Sequence, residues 1–105
     1  NCFVEIKNVT LWSVGEIALF PDSVTTRGQK HLQELTELKI AGTRAAMLYI
    51  VQRGDVNSFS PAEKIDPEYA RLLRVAVDNG VEVYCYQYDV TPTQIKLLKR
   101  LEVIL

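Results

Sequence analysis

The sequence has little cysteine and histidine, and it has no long hydrophobic run. Cys2 and Cys85 are its only cysteines, too few for a disulfide framework and not spaced as metal ligands. We therefore expect both thiols to be reduced and buried, as in a cytoplasmic protein. His31 is the only histidine, which excludes a metal site made of several histidines. No apolar run approaches the length of a membrane span, and no signal peptide is recognisable, so we expect no membrane contact.

The charge balance shows no basic excess. Twelve Lys and Arg side chains stand against 13 Asp and Glu, a net charge of −1 at pH 7. DNA-binding domains usually have a basic excess, so any DNA contact must depend on a local group of cations. The 105 residues, 48% of them hydrophobic, suit one globular domain. Because the chain opens with Asn1 and not with Met, we expect a piece of a longer protein with part of its functional site elsewhere.

Apolar periodicity and turn residues predict the order strand, strand, helix, strand, helix, strand. The strands are expected at residues 2–11, 17–20, 45–51 and 81–90, and the helices begin near Thr26 and Asp66 and end at Gly42 and Gly80. Residues 53–65 are expected to form a loop, and the tail to residue 105 is either a short helix or a strand. Alternating helices and apolar strands imply a mainly parallel α/β sheet, with the first two strands as a hairpin and strand 45–51 buried on both faces.

Val4-Glu5-Ile6-Lys7 places two opposite charges in an otherwise apolar strand. Side chains alternate along a strand, so Glu5 and Lys7 share one face. A buried charge is costly unless it is paired or binds a metal ion. One interpretation is a metal site, in which Glu5 is an oxygen ligand for Mg²⁺ and Lys7 orients the attacking water and stabilises phosphate charge. The other is an ion pair on the solvated face of a hairpin, which so short a pattern favours by itself.

The predicted helix start at Thr26 carries cations where acids are usual. Arg27 and Lys30 lie in the first turn with no acid, although the positive end of the helix dipole favours negative side chains. Together with free helix N–H groups these cations suit an anion such as phosphate; the alternative is that they extend into water. Gln29 fits a capping box with Thr26, and His31 falls on the apolar stripe as a core or boundary residue.

Arg53 and a row of tyrosines are further candidates for DNA contact. Arg53 follows strand 45–51, at the sheet edge where sites gather in open α/β folds, and it either binds phosphate or pairs with Asp55. Tyr84, Tyr86 and Tyr88 share one face of the last predicted strand. Stacking on bases is one use of such a row, but packing beneath a helix is more common.

Several segments together resemble the sugar fermentation stimulation protein family. They are VEIKNVTL at residues 4–11, FPDSVTTRGQKHL at 20–32, FSP at 59–61, IDPEY at 65–69 and GVEV at 80–83. The order of these motifs along the chain is specific for the family, whereas no single motif is. The resemblance covers essentially all 105 residues.

The resemblance implies a restriction-endonuclease-like mixed sheet flanked by helices, similar to the PD-(D/E)xK nuclease core. Glu5 and Lys7 match the acid and lysine of that motif, and Gln29 matches a polar helix position that often completes such sites. The first Asp of the motif and an N-terminal OB-like region of the family are expected to lie outside residues 1–105. The family resemblance also implies DNA binding and a role in regulating sugar (maltose) metabolism.

Three functional hypotheses follow. The first is a DNA-binding protein on a nuclease-like fold, with Arg27, Lys30 and Arg53 contacting phosphate. The second is a Mg²⁺-dependent DNA nuclease that uses Glu5 and Lys7, with weak Mg²⁺ binding because the first Asp is absent. The third is a protein-interaction scaffold. A sheet edge exposed by a missing strand would also allow pairing with a second copy of the chain.

Overall fold

The computed structural model describes residues 1–12, 15–52 and 56–105. Within these ranges the chain forms a seven-stranded mixed sheet and two helices. The strands are β1 (Cys2–Val9), β2 (Leu11–Trp12), β3 (Ile17–Phe20), β4 (Arg44–Val51), β5 (Ser58–Pro61), β6 (Glu82–Val90) and β7 (Ile95–Val103). The helices are α1 (Thr26–Ile40) and α2 (Pro67–Asp78). Neither of these helices combines the length and apolar character needed to cross a lipid bilayer.

The sheet is mixed and mainly parallel, as the sequence predicts. Its strands lie in the order β1, β4, β6, β7, β5, β3, β2. β4 is parallel to its neighbours β1 and β6, and β5 is parallel to β3 and β7. The two remaining pairs, β2–β3 and β6–β7, are antiparallel. Helices α1 and α2 precede β4 and β6 in the chain, as expected where long crossovers join parallel strands.

Two parts of the chain differ from the sequence-based expectation. The strand expected at residues 2–11 breaks at Thr10, and its two parts, β1 and β2, lie at opposite ends of the sheet. β1 therefore pairs with β4 and forms no hairpin with β3. Residues 58–61, expected in a loop, form strand β5, because Phe59 is fully buried in the core. The tail forms strand β7, one of the two alternatives expected for it.

The two faces of the sheet differ in burial. Residues paired side by side in parallel strands point the same way, so Glu5 and Lys7 share a face with Met47 and Tyr49 of β4. Met47 and Tyr49 belong to the core on which the helices pack. On the opposite face, alternate residues of β1 are exposed and those of β4 after Ala46 are half buried. The expectation that β4 is buried on both faces is therefore met on the helix-covered face alone.

Aromatic rings form the centre of the core. Tyr49 stacks on Phe59 with ring centroids 4.1 Å apart. Phe20 lies 5.7 Å from Tyr49 and 5.3 Å from Tyr69, measured between ring centroids. The core thus links β3, β4 and β5 to α2. The helices add the buried side chains Leu32, Leu35, Leu72, Leu73 and Ala76.

The helix ends are fixed by capping residues. Thr25, one residue earlier than expected, caps α1 by accepting the backbone N–H of Gly28 at 3.0 Å. Asp66 caps α2 as predicted, since its side chain accepts a backbone N–H of the first turn. Gly42 and Gly80 follow the two helices at φ values of +98° and +95°, a region that favours glycine.

The two cysteines are free and lie in different environments. Cys85 of β6 is buried, and this burial raises the pKa of its thiol to about 12. Cys2 is exposed at the start of β1, the strand at the edge of the sheet. The expectation of two buried thiols is therefore wrong for Cys2, because a strand paired on one side alone gives its first residue little cover.

Candidate active site

Glu5, Lys7 and His31 meet where β1 passes beneath the first turns of α1. Lys7 Nζ lies 2.9 Å from His31 Nδ1 and 3.7 Å from Glu5 Oε1. His31 Nδ1 lies 3.3 Å from the same carboxylate oxygen. These atoms form a closed triangle, which we call the Glu5–Lys7–His31 cluster.

Local structure explains how the cluster assembles. Alternation along β1 turns Glu5 and Lys7 toward α1. His31 lies one helical turn before the buried Leu35, so the same helix face carries it toward the sheet. The side chains of Glu5, Lys7 and His31 are 29%, 16% and 19% exposed. The interpretation of an ion pair on the solvated face of a hairpin is therefore wrong, since the pair lies on the helix-covered face.

The distances indicate how protons are arranged in the cluster. A lysine ammonium has three protons and no acceptor, so the 2.9 Å contact is a hydrogen bond in which Lys7 donates to His31 Nδ1. This arrangement predicts that the ring proton resides on Nε2. The 3.7 Å separation of Lys7 Nζ from Glu5 Oε1 is an ion pair without a direct hydrogen bond. Lys7 is thus held by His31 and makes no direct hydrogen bond to the Glu5 carboxylate.

A neutral pair of tyrosines lies in the core beside the cluster. Tyr49, the strand partner of Lys7, has its hydroxyl 2.6 Å from that of Tyr69. Burial raises the pKa of both hydroxyls well above the usual range, and the negative charges of Asp66 and Glu5 raise that of Tyr69 further. Neither phenol ionises near neutral pH, so the tyrosine pair adds no formal charge beside the cluster.

Gln29 contacts a different residue from the one that the sequence suggests. Its side-chain Nε2 donates to Asp66, 3.0 Å from Oδ1 and 3.1 Å from Oδ2. The capping box with Thr26 is therefore wrong, because Thr25 is the cap and the Gln29 amide points to α2. Among the described residues Gln29 makes no hydrogen bond to Glu5 or Lys7, so its role in the site stays a prediction.

The first turn of α1 carries the two predicted cations and no acid. An acid from another part of the chain, Asp66, lies against it. Asp66 Oδ2 accepts the backbone N–H of Thr25 at 2.9 Å, which supplies the negative group that the first turn lacks in sequence. Arg27 and Lys30 are exposed, and neither forms an ion pair with a described residue. Their role as phosphate contacts stays a prediction. Arg53 lies outside the described residues.

The cluster supplies one suitable metal ligand, Glu5, and not a complete set of ligands. Within the described ranges, no three His, Cys, Asp or Glu side chains are grouped so that they could hold a metal ion. Glu5 offers carboxylate oxygens, the ligands that Mg²⁺ and Ca²⁺ prefer. Mg²⁺ usually keeps several waters and takes one or two protein carboxylates, which Glu5 satisfies in part. His31 Nδ1 is occupied by Lys7.

The row of tyrosines on β6 lies on the face away from the core. Tyr84, Tyr86 and Tyr88 are half buried, and no helix of the described residues covers them. The rings of Tyr84 and Tyr86 lie 6.4 Å apart, and the Arg100 guanidinium sits 4.8 Å from the Tyr84 ring centroid. The Tyr84 hydroxyl donates to Glu82 at 2.5 Å. The expectation that these tyrosines pack beneath a helix is wrong, because both helices lie on the other face.

The sequence alone gives His31 no role in the site. It lies on the apolar face of α1, as the sequence predicts, but it contacts the charged residues of β1 there. The available signal was the combination of two patterns. A strand that turns two charges toward the core needs polar partners, and the only histidine lies on a core-facing stripe.

Comparison with known proteins shows one consistent group of relatives. Residues 1–94 match the family model described as the sugar fermentation stimulation protein RE domain. A sugar fermentation stimulation protein homolog of Geobacter metallireducens is 59% identical over 105 residues, all of this chain and 45% of that protein. A homolog of Pelobacter propionicus is 58% identical over the same span, again 45% of its length. The chain thus spans about half the length of these relatives.

A solved structure shows the same fold. It is described as the structure of Pyrococcus furiosus SfsA in complex with Ca²⁺, and it superimposes with a TM-score of 0.92 at 35% sequence identity. The match covers 99% of this chain and 45% of the archaeal protein. The restriction-endonuclease-like sheet expected from the sequence is therefore confirmed at the level of the fold.

Proposed function

This chain belongs to the sugar fermentation stimulation protein family, and from the Glu5–Lys7–His31 cluster we propose that it contacts DNA with the help of a divalent metal ion at Glu5. The observation that carries the proposal is the convergence of Glu5 and Lys7 on the helix-covered face, 3.7 Å apart. Most of this face is apolar core. Charged groups placed there lose hydration, and a bound polar ligand would compensate for that loss.

The chemistry of Glu5 favours a hard cation. Its carboxylate is 29% exposed and therefore accessible from one side, and Lys7 does not bond to it directly. The relative from Pyrococcus furiosus was solved with Ca²⁺, an ion that takes oxygen ligands. We propose that Glu5 is one of several ligands and that binding is weak in residues 1–105 alone. A bound divalent ion would attract a phosphate oxygen and neutralise its charge.

Arg27 and Lys30 are the proposed contacts to phosphates of the DNA backbone. Lys30 immediately precedes His31 on α1, and Arg27 lies one turn earlier. Both side chains are exposed and unpaired among the described residues, so they are available for phosphate at little desolvation cost. Such local contacts do not need a net basic charge. In the cell, DNA contact of this kind would serve the regulation of sugar metabolism that the family name suggests.

Hydrolysis of DNA is the second candidate function. The position of Lys7 favours it, because an ammonium held beside a carboxylate can stabilise the charge that develops on phosphate during cleavage. The acid that would complete the site is expected outside these residues. Since the chain covers 45% of its relatives, the cleavage activity is a proposal for the intact protein.

The test uses the intact protein that carries this chain. DNA binding is measured by fluorescence anisotropy in Ca²⁺ and in chelator, and cleavage is measured in Mg²⁺ and Mn²⁺. We expect Glu5→Gln to remove the metal dependence of binding. Glu82→Gln is the matched control, since Glu82 is also a strand residue paired with a cation and is 28% exposed.

Three results would separate the candidates. Metal-dependent cleavage that Glu5→Gln and Lys7→Met both abolish would identify a nuclease. Metal-dependent binding without cleavage would leave a DNA-binding protein on a nuclease-like fold. If Glu5→Gln changes neither binding nor its metal dependence, the proposal fails, and a protein-interaction scaffold becomes the better hypothesis.

A further inference from the structure

We propose that His31 is a positioning residue of the Glu5–Lys7 site, which holds the Lys7 ammonium off the Glu5 carboxylate. This inference deepens the proposed function and rests on it. The first support is the order of the distances. Lys7 Nζ is 2.9 Å from His31 Nδ1 but 3.7 Å from Glu5 Oε1, and Nδ1 lies 3.3 Å from that oxygen, so the ammonium has the ring nitrogen, and not the carboxylate, within hydrogen-bond distance.

The second support is the chemistry of lysine. Its side chain has four rotatable methylene links and a compact charge, so its position is set by its hydrogen-bond partners. Next to an unshielded carboxylate, an ammonium favours direct contact at about 2.8 Å. Such a contact would occupy the oxygen that a metal ion needs. His31 Nδ1 is instead the nearer partner of the Lys7 ammonium.

The third support is the rigidity of the helix that carries His31. The α1 cap Thr25 is fixed through its own backbone N–H to Asp66 at 2.9 Å, and its hydroxyl accepts from Gly28 at 3.0 Å. Gln29 is bonded to the same carboxylate. The turn that precedes His31 is therefore tied to α2 from two sides. A ring mounted on this turn can define the position of Lys7 closely.

The test compares three variants of the intact protein. The side-chain oxygen of Asn can take the place of Nδ1, whereas Gln carries its amide at the distance of Nε2. We expect His31→Ala to raise the divalent-metal concentration needed for half-maximal DNA binding, or for cleavage if it is observed, about tenfold. His31→Asn should restore most of the loss and His31→Gln much less. A simple packing role would give losses that follow side-chain volume, so that Gln is the best substitute.

A spectroscopic measurement reports on the hydrogen bond without any activity. His31 is the only histidine of residues 1–105, and in the intact protein its pair of ¹⁵N ring signals is identified by their loss in His31→Asn. We expect the Nε2–H tautomer in the native protein and a shift of the Nδ1 signal in Lys7→Met. A ring protonated on Nδ1, or a Nδ1 signal that Lys7→Met does not move, would overturn the inference.

The outcomes distinguish this inference from the proposed function. If Glu5→Gln abolishes metal-dependent binding while His31→Ala leaves it unchanged, the function stands and the positioning role is wrong. Equal losses in the Ala, Asn and Gln variants also count against positioning by Nδ1. If Glu5→Gln has no effect, the proposed function is wrong, and the NMR result still decides whether His31 holds Lys7.

Discussion

Gln29 and Asp66 join the two helices at their first turns, with Gln29 Nε2 3.0 Å and 3.1 Å from the two carboxylate oxygens. The same carboxylate accepts the backbone N–H groups of Thr25 and Tyr69, at 2.9 Å and 3.0 Å. One buried acid therefore caps α2, satisfies the residue that caps α1 and binds a side chain of α1. The helix that carries His31 depends on this arrangement.

Asp66→Asn should destabilise the protein by about 2 kcal/mol, because it replaces an acceptor of several charge-assisted hydrogen bonds with a group that is half donor. Burial by itself would raise the pKa of Asp66, but the hydrogen bonds from Thr25, Tyr69 and Gln29 outweigh it and lower the pKa below its usual value. The stabilisation is therefore complete above the unfolded pKa, near 4, and is lost as pH falls through the lower native pKa.

Urea unfolding between pH 2 and pH 7 measures this effect. We expect the native protein to lose stability below about pH 4, and Asp66→Asn to show a flatter profile there. Asp78→Asn is the control, since Asp78 is exposed at the other end of α2. Identical pH profiles for the native protein and Asp66→Asn would contradict the prediction.

Gly28→Ala should destabilise the protein by about 1 kcal/mol, although alanine normally favours a helix. A Cβ at this position would lie 2.8 Å from Thr25 Cγ2, 3.1 Å from Thr25 Oγ1 and 3.2 Å from Tyr69 Cε2. The methyl group would displace the capping side chain against a buried ring. Thermal unfolding of the variant shows directly whether its stability falls or rises.

A second substitution shows whether the contact with Thr25 causes the destabilisation by Gly28→Ala. Thr25→Ser removes Cγ2 but keeps the hydroxyl that caps α1, so Gly28→Ala should cost less in that background. The comparison is a double-mutant cycle with Thr25→Ser alone as its reference. An unchanged cost for Gly28→Ala would mean that Thr25 is not the obstacle.

One of the two thiols should react in the native protein. Cys2 is exposed, whereas Cys85 is buried with a pKa raised to about 12 by that burial, and the thiolate is the reactive form. Titration with a thiol reagent at pH 8 should modify Cys2 within minutes and Cys85 after unfolding. In residues 1–105 that carry Cys2→Ser the native reaction should vanish, and rapid native modification of that variant would show that Cys85 is accessible.

Lys30→Gln should weaken DNA binding uniformly across sequences and reduce the salt slope, d log K/d log [salt], by about 0.9, the value for one lost phosphate contact. Arg27→Gln should behave in the same way. Lys39→Gln is the matched control, because Lys39 lies in the last turn of the same helix and carries the same charge. Equal slopes for Lys30→Gln and Lys39→Gln would remove the start of α1 from the DNA interface.

The edge of the sheet should promote association of residues 1–105. β1 pairs with β4 on one side and with no described strand on the other, and unpaired edges tend to pair with another chain. Sedimentation at rising concentration should show dimers that Ile6→Lys reduces, since charges on edge strands oppose pairing. Ile40→Lys, at an exposed position of α1, is the control, and a monomer at all concentrations contradicts the prediction.

The sequence determined a large part of the fold because local patterns carry it. Pro67 behind the capping Asp66, and Gly80 after the last turn, bound α2 where expected. The alternation of Glu5 and Lys7 on β1 followed from strand geometry. The sequence did not reveal that Thr10 separates β1 from β2. Residues 2–11 have the pattern of one continuous strand, and only the pairing of β1 and β2 at opposite ends of the sheet shows that they are two.

By itself, the sequence determined which residue types occupy the candidate site and that Glu5 and Lys7 share a face. The tertiary structure decided what surrounds them. It brought His31 within 2.9 Å of Lys7 from 24 residues away and placed Asp66, 41 residues from Thr25, at the start of α1. Contacts across such separations depend on how helices and strands pack together. The partners of a charge can therefore be read from the fold, whereas its need for partners can already be read from the chain.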